Sequence, residues 1–114
     1  MDEVEQIIQN APEEAREKSR SFIVNHGIDA FKKIRTLEVF NLEEAWQALK
    51  DCSNEELLLV RMLIRDTYGM SLQEIADKLK ETGAEKTRAA FFKLKSEKKR
   101  FTAADVFSTA ANTA

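Results

Sequence analysis

The sequence SLQEIADKLKETGAEKTRAAFFKLKSEKKRF, residues 71–101, determines how the rest of the chain is interpreted. Ser71 followed three residues later by Glu74 is the pattern of a capping box, and apolar residues after it recur at helical spacing. Gly83 interrupts this pattern, as a glycine at a helix end does. The segment therefore predicts two helices, one that begins after Ser71 and one that runs from Ala84 to Arg100.

The composition of the 114-residue chain favours an all-α protein. Hydrophobic residues make up 43% and charged residues 33%, whereas only three glycines and one proline are present to form the turns of a β-sheet. We expect a compact multi-helix bundle, since the length suits one domain with one core. The predicted domain covers 1–101, with N-terminal helices in 1–52 and a second half in 53–101, and 102–114 form a C-terminal tail or a short helix.

The sequence offers little support for catalysis or for a bound metal. Cys52 is the only cysteine and His26 the only histidine, so the soft ligands of a zinc site are missing. A structural role is favoured over a catalytic one for both residues. Cys52 precedes a helix cap, and His26 precedes Gly27, near a helix C-terminus where histidine is favoured. No glycine-rich phosphate loop occurs. We therefore expect no enzyme, no catalytic residue, no cofactor and no metal.

The N-terminus and the longest apolar run bear on cellular location. The sequence MDEVEQIIQN is acidic where a signal peptide would be basic, and LLLVRMLI is interrupted by Arg61 and too short to span a bilayer. A lone cysteine also suits a reducing compartment. We expect a soluble, cytoplasmic protein that does not associate with a membrane.

The first forty residues predict one helix and a less regular segment. Pro12 suits a first helical position and Gly27 suits a stop, so a helix from Pro12 to about Asn25 is predicted. The segment that follows has apolar residues at short spacings and is predicted to form a bend packed on the core. These apolar residues are Ile28, Phe31, Ile34, Leu37, Val39 and Phe40.

Two further capping boxes are predicted before residue 71, Asn41 with Glu44 and Ser53 with Glu56. The apolar residues after each box fall at helical spacing, which predicts a buried stripe on each helix. The stripes comprise Leu42, Ala45, Trp46 and Leu49 in the first helix, and Leu57, Val60, Leu63 and Ile64 in the second.

Charge is distributed unevenly along the chain. Residues 1–57 contain 7 basic and 13 acidic residues, a net charge of −6, whereas residues 58–114 contain 11 basic and 7 acidic residues, a net charge of +4. From Lys86 to Arg100 seven residues are basic and only Glu97 is acidic. Because such a helix repels itself, the pattern predicts a negatively charged partner.

The segment EELLLVRMLIRDTYGMSLQEIADKL resembles the first two helices of three-helix helix-turn-helix DNA-binding proteins, such as sigma-factor region 4 and bacterial response-regulator domains. The resemblance extends over Ser53 to Phe101 and rests on the S-L-Q-E-I-A core with Leu79. It implies a bundle that contains a helix-turn-helix, in which Ala76 lies where two helices cross closely. It also implies that the next helix enters the major groove.

The turn after Leu79 departs from the family pattern L-G-[IV]-[ST], because it reads Lys80-Glu81-Thr82-Gly83. Counting without a gap would place Lys86 and Lys93 on the core side. Allowing one extra residue in the turn instead places apolar or small residues on the core side, so we predict this second alignment. It requires either a longer turn or a helix that continues to Thr82 and stops at Gly83. The inward residues would be Thr87, Phe91 and Leu94.

The last helix has two contrasting sides when residues are placed 100° apart. The predicted buried side comprises Thr87, Ala90, Phe91, Leu94 and Phe101. The opposite side is the predicted nucleic-acid-binding surface, since cationic side chains contact phosphates or guanine and apolar groups contact thymine methyls. Its residues are Lys86, Arg88, Phe92, Lys93, Lys95, Ser96, Lys99 and Arg100.

Phe92 is the unusual member of this basic side. Aromatic residues are rarely left exposed, so burial under the N-terminal helices or the C-terminal tail is favoured over contact with a base.

Two classes of function fit these features. The leading hypothesis is a small protein that binds double-stranded DNA, a transcriptional regulator of bacterial, plasmid or phage type, with the helix 84–100 in the major groove. Its N-terminal helices would supply a homodimer or partner surface. The alternative is a protein-interaction module, an antiactivator or adaptor, whose basic face binds an acidic protein. RNA binding, with Phe92 stacked on a base, is a third possibility.

Overall fold

The computed structural model describes residues 3–35, 37 and 41–112. These residues contain eight α-helices and no β-strand, so the predicted all-α class is confirmed. The helices are α1 (Glu3–Gln9), α2 (Glu13–His26), α3 (Ile28–Arg35), α4 (Leu42–Leu49), α5 (Asn54–Asp66), α6 (Leu72–Thr82), α7 (Ala84–Glu97) and α8 (Ala103–Ala111).

The chain divides into two compact units, Met1–Lys50 with α1 to α4 and Asp51–Ala114 with α5 to α8. The boundary lies close to the predicted division at residue 52. A single domain over 1–101 stays a prediction.

In the first unit, one residue joins α2 to α3. Gly27 has a φ of +94°, a backbone conformation that glycine adopts readily because it lacks a Cβ atom. Its N–H donates to the Ile23 carbonyl, and its own carbonyl accepts from the Phe31 N–H. One residue therefore ends α2 and begins α3. The predicted helix over 12–25 is confirmed to within one residue at each end.

Two elements of the first unit differ from expectation. Residues 28–35 form the complete helix α3 rather than a bend, and α1 was not predicted. Leu37 is buried as predicted, whereas Val39 and Phe40 lie outside the described residues. The buried apolar side chains are Ile8, Phe22, Ala30, Phe31, Ile34, Leu37, Ala45, Ala48 and Leu49.

The predicted stripe of α4 packs into this core, with Ala45 and Leu49 buried and Leu42 and Trp46 half-buried. Asn41 begins the helix, because its side chain accepts a hydrogen bond from the Glu44 N–H.

The lone histidine is accounted for by packing in the first unit. Nε2 of His26 lies 2.7 Å from Oε2 of Glu43, and the imidazole lies 4.8 Å from the Phe22 ring and 5.6 Å from the Trp46 ring, measured between centroids. His26 therefore links the end of α2 to the beginning of α4.

In the second unit, α5, α6 and α7 contact one another, and α8 packs on α6 and α7. The predicted capping boxes at Ser53 and Ser71 are both complete, with each serine side chain accepting from the backbone of the glutamate three residues on. Ala76 is 1% exposed, as a close helix crossing requires. Of the predicted α5 stripe, Ile64 is only half-buried, and Leu59 is buried in addition.

Gly83 makes the same kind of connection between α6 and α7. It has a φ of +95°, its N–H donates to the Leu79 carbonyl, and its carbonyl accepts from the Thr87 N–H. The Thr87 hydroxyl, fully buried, donates to the same carbonyl at 2.8 Å. Helix α6 thus continues to Thr82 and stops at Gly83. The predicted buried side is confirmed for Thr87, Ala90, Phe91 and Leu94, which are buried on α7, whereas Phe101 is buried beyond the end of the helix.

The end of α7 is a correction to the prediction, because the helix stops at Glu97 and not at Arg100. Lys98 has an extended backbone with φ −133°, and Thr102 with Asp105 forms a capping box that begins α8. The hydrogen bond from the Thr102 N–H holds the pKa of Asp105 below its usual value. The chain must leave the α7 axis before this box. Of the two alternatives at the C-terminus, a packed helix is present.

Among the described residues, no helix combines the length and apolar character that crossing a bilayer requires.

Candidate nucleic-acid interface

Helix α7 presents one line of residues farthest from the core. The four members fall at spacings of four, three and four residues, which keeps them on one side of a helix, and all four are exposed. We call this line the outer stripe of α7. It comprises Glu85, Ala89, Phe92 and Ser96.

Cationic side chains lie on both flanks of the outer stripe. Arg88 and Lys95 are two turns apart on one flank, and Lys86 and Lys93 are two turns apart on the other. At 100° per residue the two flanks lie about 160° apart around the helix axis. The helix therefore presents positive charge to both sides of its exposed face.

The first flank is held by α5. Nη2 of Arg88 lies 2.7 Å from Oε1 of Glu55, and Nζ of Lys95 lies 2.9 Å from Oδ2 of Asp66. These side chains are between 30% and 57% exposed, and ion pairs at such positions contribute about 0–1 kcal/mol. A phosphate could therefore replace either carboxylate at small cost.

The two lysines of the second flank are not held in ion pairs. Neither Lys86 nor Lys93 has an acidic partner in the described part of the chain, and both are exposed.

The connection from α7 to α8 adds three consecutive exposed cations, Lys98, Lys99 and Arg100. None of them forms an ion pair within the described ranges, although the pKa of Asp105, lowered first by the hydrogen bonds from Thr102, is lowered further by the charge of Lys98. The Arg100 guanidinium lies 5.3 Å from the centroid of the exposed Tyr68 ring. Lys99 and Arg100 were predicted on the helix itself. They lie beyond its end, where cations are favoured by the helix dipole.

Phe92 is 51% exposed, so the favoured prediction that it is buried was wrong. Helix α8 packs on α7 and buries Val106 and Phe107, but it leaves the outer stripe uncovered. The Phe92 ring lies nearly perpendicular to that of the fully buried Phe91, with 5.4 Å between centroids and 77° between planes. A fixed neighbour thus supports an exposed aromatic ring.

Of the eight residues predicted to bind nucleic acid, the structure places six on α7 and brings them together around the outer stripe. These are Lys86, Arg88, Phe92, Lys93, Lys95 and Ser96. The Ser96 hydroxyl donates to the Lys93 carbonyl at 2.7 Å.

The residues predicted to bind nucleic acid did not include Glu55, Asp66, Tyr68 and Lys98, which also lie at this surface. The two carboxylates lie 33 and 29 residues from their partners, so no local spacing could identify them. Lys98 belongs to the basic run and was overlooked because a continuous helix would have turned it away from the outer stripe.

Comparisons of the chain with protein-family models, with curated proteins and with solved structures found no match.

Proposed function

We propose that the protein binds double-stranded DNA as a transcriptional regulator, with α5 to α7 as a helix-turn-helix and the outer stripe of α7 in the major groove. One observation carries the proposal: five of the seven basic residues in 86–100 form no ion pair among the described residues. A bacterial or phage origin and a cytoplasmic location, expected from the sequence, belong to the same proposal.

The arrangement of the charges supports groove binding in particular. A major groove about 12 Å wide admits an α-helix and has a phosphate backbone on each side. Cations on both flanks of α7 would contact the two backbones, while the outer stripe faces the base edges. The segment 98–100 would add contacts to the backbone beyond the end of the helix. Phosphate contacts of this kind fix the position of a helix on the duplex.

The proposal is tested by fluorescence anisotropy with duplex DNA, single-stranded DNA and RNA of equal length, at several salt concentrations. Neutralising seven phosphates, one for each basic residue in 86–100, would make the logarithm of the binding constant fall with the logarithm of salt concentration with a slope of about −6.3. Duplex binding that is absent even at low salt would overturn the proposal. Tighter binding to RNA than to the duplex would favour the third hypothesis.

Removing the two acids of the α5 flank should strengthen DNA binding. In the variant Glu55→Gln with Asp66→Asn, Arg88 and Lys95 need not exchange a carboxylate for a phosphate. If each exposed pair costs ~0.5 kcal/mol to break, affinity at low salt should rise about fivefold. Titration of both proteins with the same duplex measures the ratio.

The control for this prediction makes the same charge change elsewhere. Glu13 and Glu14 are exposed acids at the start of α2, and replacing both with glutamine alters net charge equally. An increase in affinity as large in this control would assign the effect to net charge and not to the two ion pairs.

The second candidate function is a module that binds an acidic protein. It is favoured by two large apolar side chains that are more than half exposed, Leu58 on α5 and Phe92 on α7, because apolar surface next to charged pairs is typical of protein interfaces. An acidic partner would then take the place of Glu55 and Asp66. The N-terminal helices stay the proposed surface for a homodimer or a further partner. Failure of duplex binding at low salt would turn the search to such proteins.

A further inference from the structure

The side chains on the outer stripe differ greatly in size around Phe92. Ala89 lies one turn before it and Ser96 one turn after it, so the phenyl ring has only small neighbours along the stripe. The ring is half exposed, and it contacts the ring of Phe91, which is 0% exposed. Phe92 is therefore the most prominent apolar group on the exposed face of α7.

Cations surround this ring on both flanks. Arg88 and Lys95 lie on the α5 side, and Lys93 lies on the other. If these cations contact the two phosphate backbones, the ring lies between the backbones and points at the floor of the groove. The position of the ring is then set by the same contacts that hold the helix.

The floor of the major groove offers a phenyl ring few favourable partners. In an intact duplex the base faces are stacked and only their edges are accessible. Most groups on those edges are hydrogen-bond donors or acceptors, which would lose water against an apolar ring without compensation. The exception is the 5-methyl group of thymine.

We propose that Phe92 contacts the 5-methyl group of a thymine, and that this contact contributes to sequence preference. The inference rests on the proposed function, since it requires α7 in the major groove of duplex DNA. The contact is apolar, so its loss should lower affinity without changing how steeply affinity depends on salt. A contact with thymine also predicts a preference for A·T base pairs opposite the centre of α7.

The experiment exchanges thymine for uracil, which removes only the methyl group. A pool of duplexes enriched by repeated binding to the wild-type protein is amplified with either dTTP or dUTP, and both pools are titrated by anisotropy. Wild-type protein should bind the thymine pool about fourfold more tightly, the factor that burial of one methyl group supplies. For Phe92→Ala the ratio of the two affinities should fall to about one.

A matched control uses another large exposed apolar residue of this unit. Leu58→Ala removes a side chain that is 59% exposed but belongs to α5 and not to the outer stripe of α7, so it should keep the fourfold ratio. Phe92→Leu, which retains an apolar group at the same position, should keep part of it. Circular dichroism of each variant shows whether the helices are intact.

The possible results separate this inference from the proposed function. Equal binding of wild type to both pools, with steep salt dependence, would overturn the thymine contact and leave DNA binding in place. A ratio that persists in Phe92→Ala would also overturn it, because the methyl groups would then act through another side chain or through DNA shape. If no pool can be enriched because the wild-type protein does not bind duplex DNA at low salt, both proposals are overturned.

Discussion

Replacing Phe91 with alanine should lower the free energy of unfolding of the second unit by about 3–5 kcal/mol. Phe91 is 0% exposed, its ring contacts those of Phe92 and Phe101, and the Lys95 ammonium lies 5.5 Å from its centroid. The substitution leaves a cavity where α7 meets its neighbours. A loss of this size approaches the total stability of many small domains. Urea unfolding followed by circular dichroism measures it.

The adjacent phenylalanine provides the control. Phe92→Ala removes the same atoms from the next residue, but this ring is half exposed, so the loss should stay below about 1 kcal/mol. Equal losses for the two variants would contradict the exposed position of Phe92 and, with it, the outer stripe.

Replacing Lys98, Lys99 and Arg100 together with alanine should produce the largest change in DNA binding. If each contacts a phosphate, the salt dependence should become less steep by about 2.7 units. When salt is raised from 50 to 200 mM, the binding constant of the wild type should then fall by a factor about forty times larger than the factor for the variant. The segment lies outside α7 and α8, so neither helix is interrupted. Anisotropy titrations across that range give both slopes.

A variant of equal charge tests whether position matters. Lys18, Arg35 and Lys50 are exposed cations of the first unit, and replacing all three with alanine changes net charge by the same amount. Its slope should match the wild type. If the segment variant also keeps the wild-type slope, residues 98–100 do not contact phosphates.

Local signals in the sequence predicted most of the helices. A capping box needs only residues three positions apart, so Ser53 with Glu56 and Ser71 with Glu74 could be identified directly. The buried side of α7 was equally accessible, because only one register keeps charged residues out of the core. The end of α7 was wrong because no glycine or proline marks it. The available signal was the capping box at Thr102, which requires the chain to leave the preceding helix first.

The chemistry of the candidate interface depended on contacts that sequence does not encode locally. The basic character of residues 86–100 was evident, but which cations are paired depends on how α5 and α7 pack. The exposure of Phe92 likewise depends on what α8 covers, and α8 packs on another side of the helix. The sequence predicted a uniformly basic face. Because of long-range packing, the cations on one flank of the outer stripe form ion pairs with α5, whereas those on the other flank form none.

The connections between α2 and α3 and between α6 and α7 each consist of one glycine. At Gly27 and at Gly83 a single residue both closes one helical hydrogen-bond ladder and opens the next. An α-helix turns by about 100° per residue, so one inserted residue that joined α7 would rotate the outer stripe away from its present direction, and deletion of Gly83 would fuse α6 to α7. Natural variants should therefore differ by substitution at the exposed positions beside Gly83, while the number of residues between Leu79 and Thr87 stays constant.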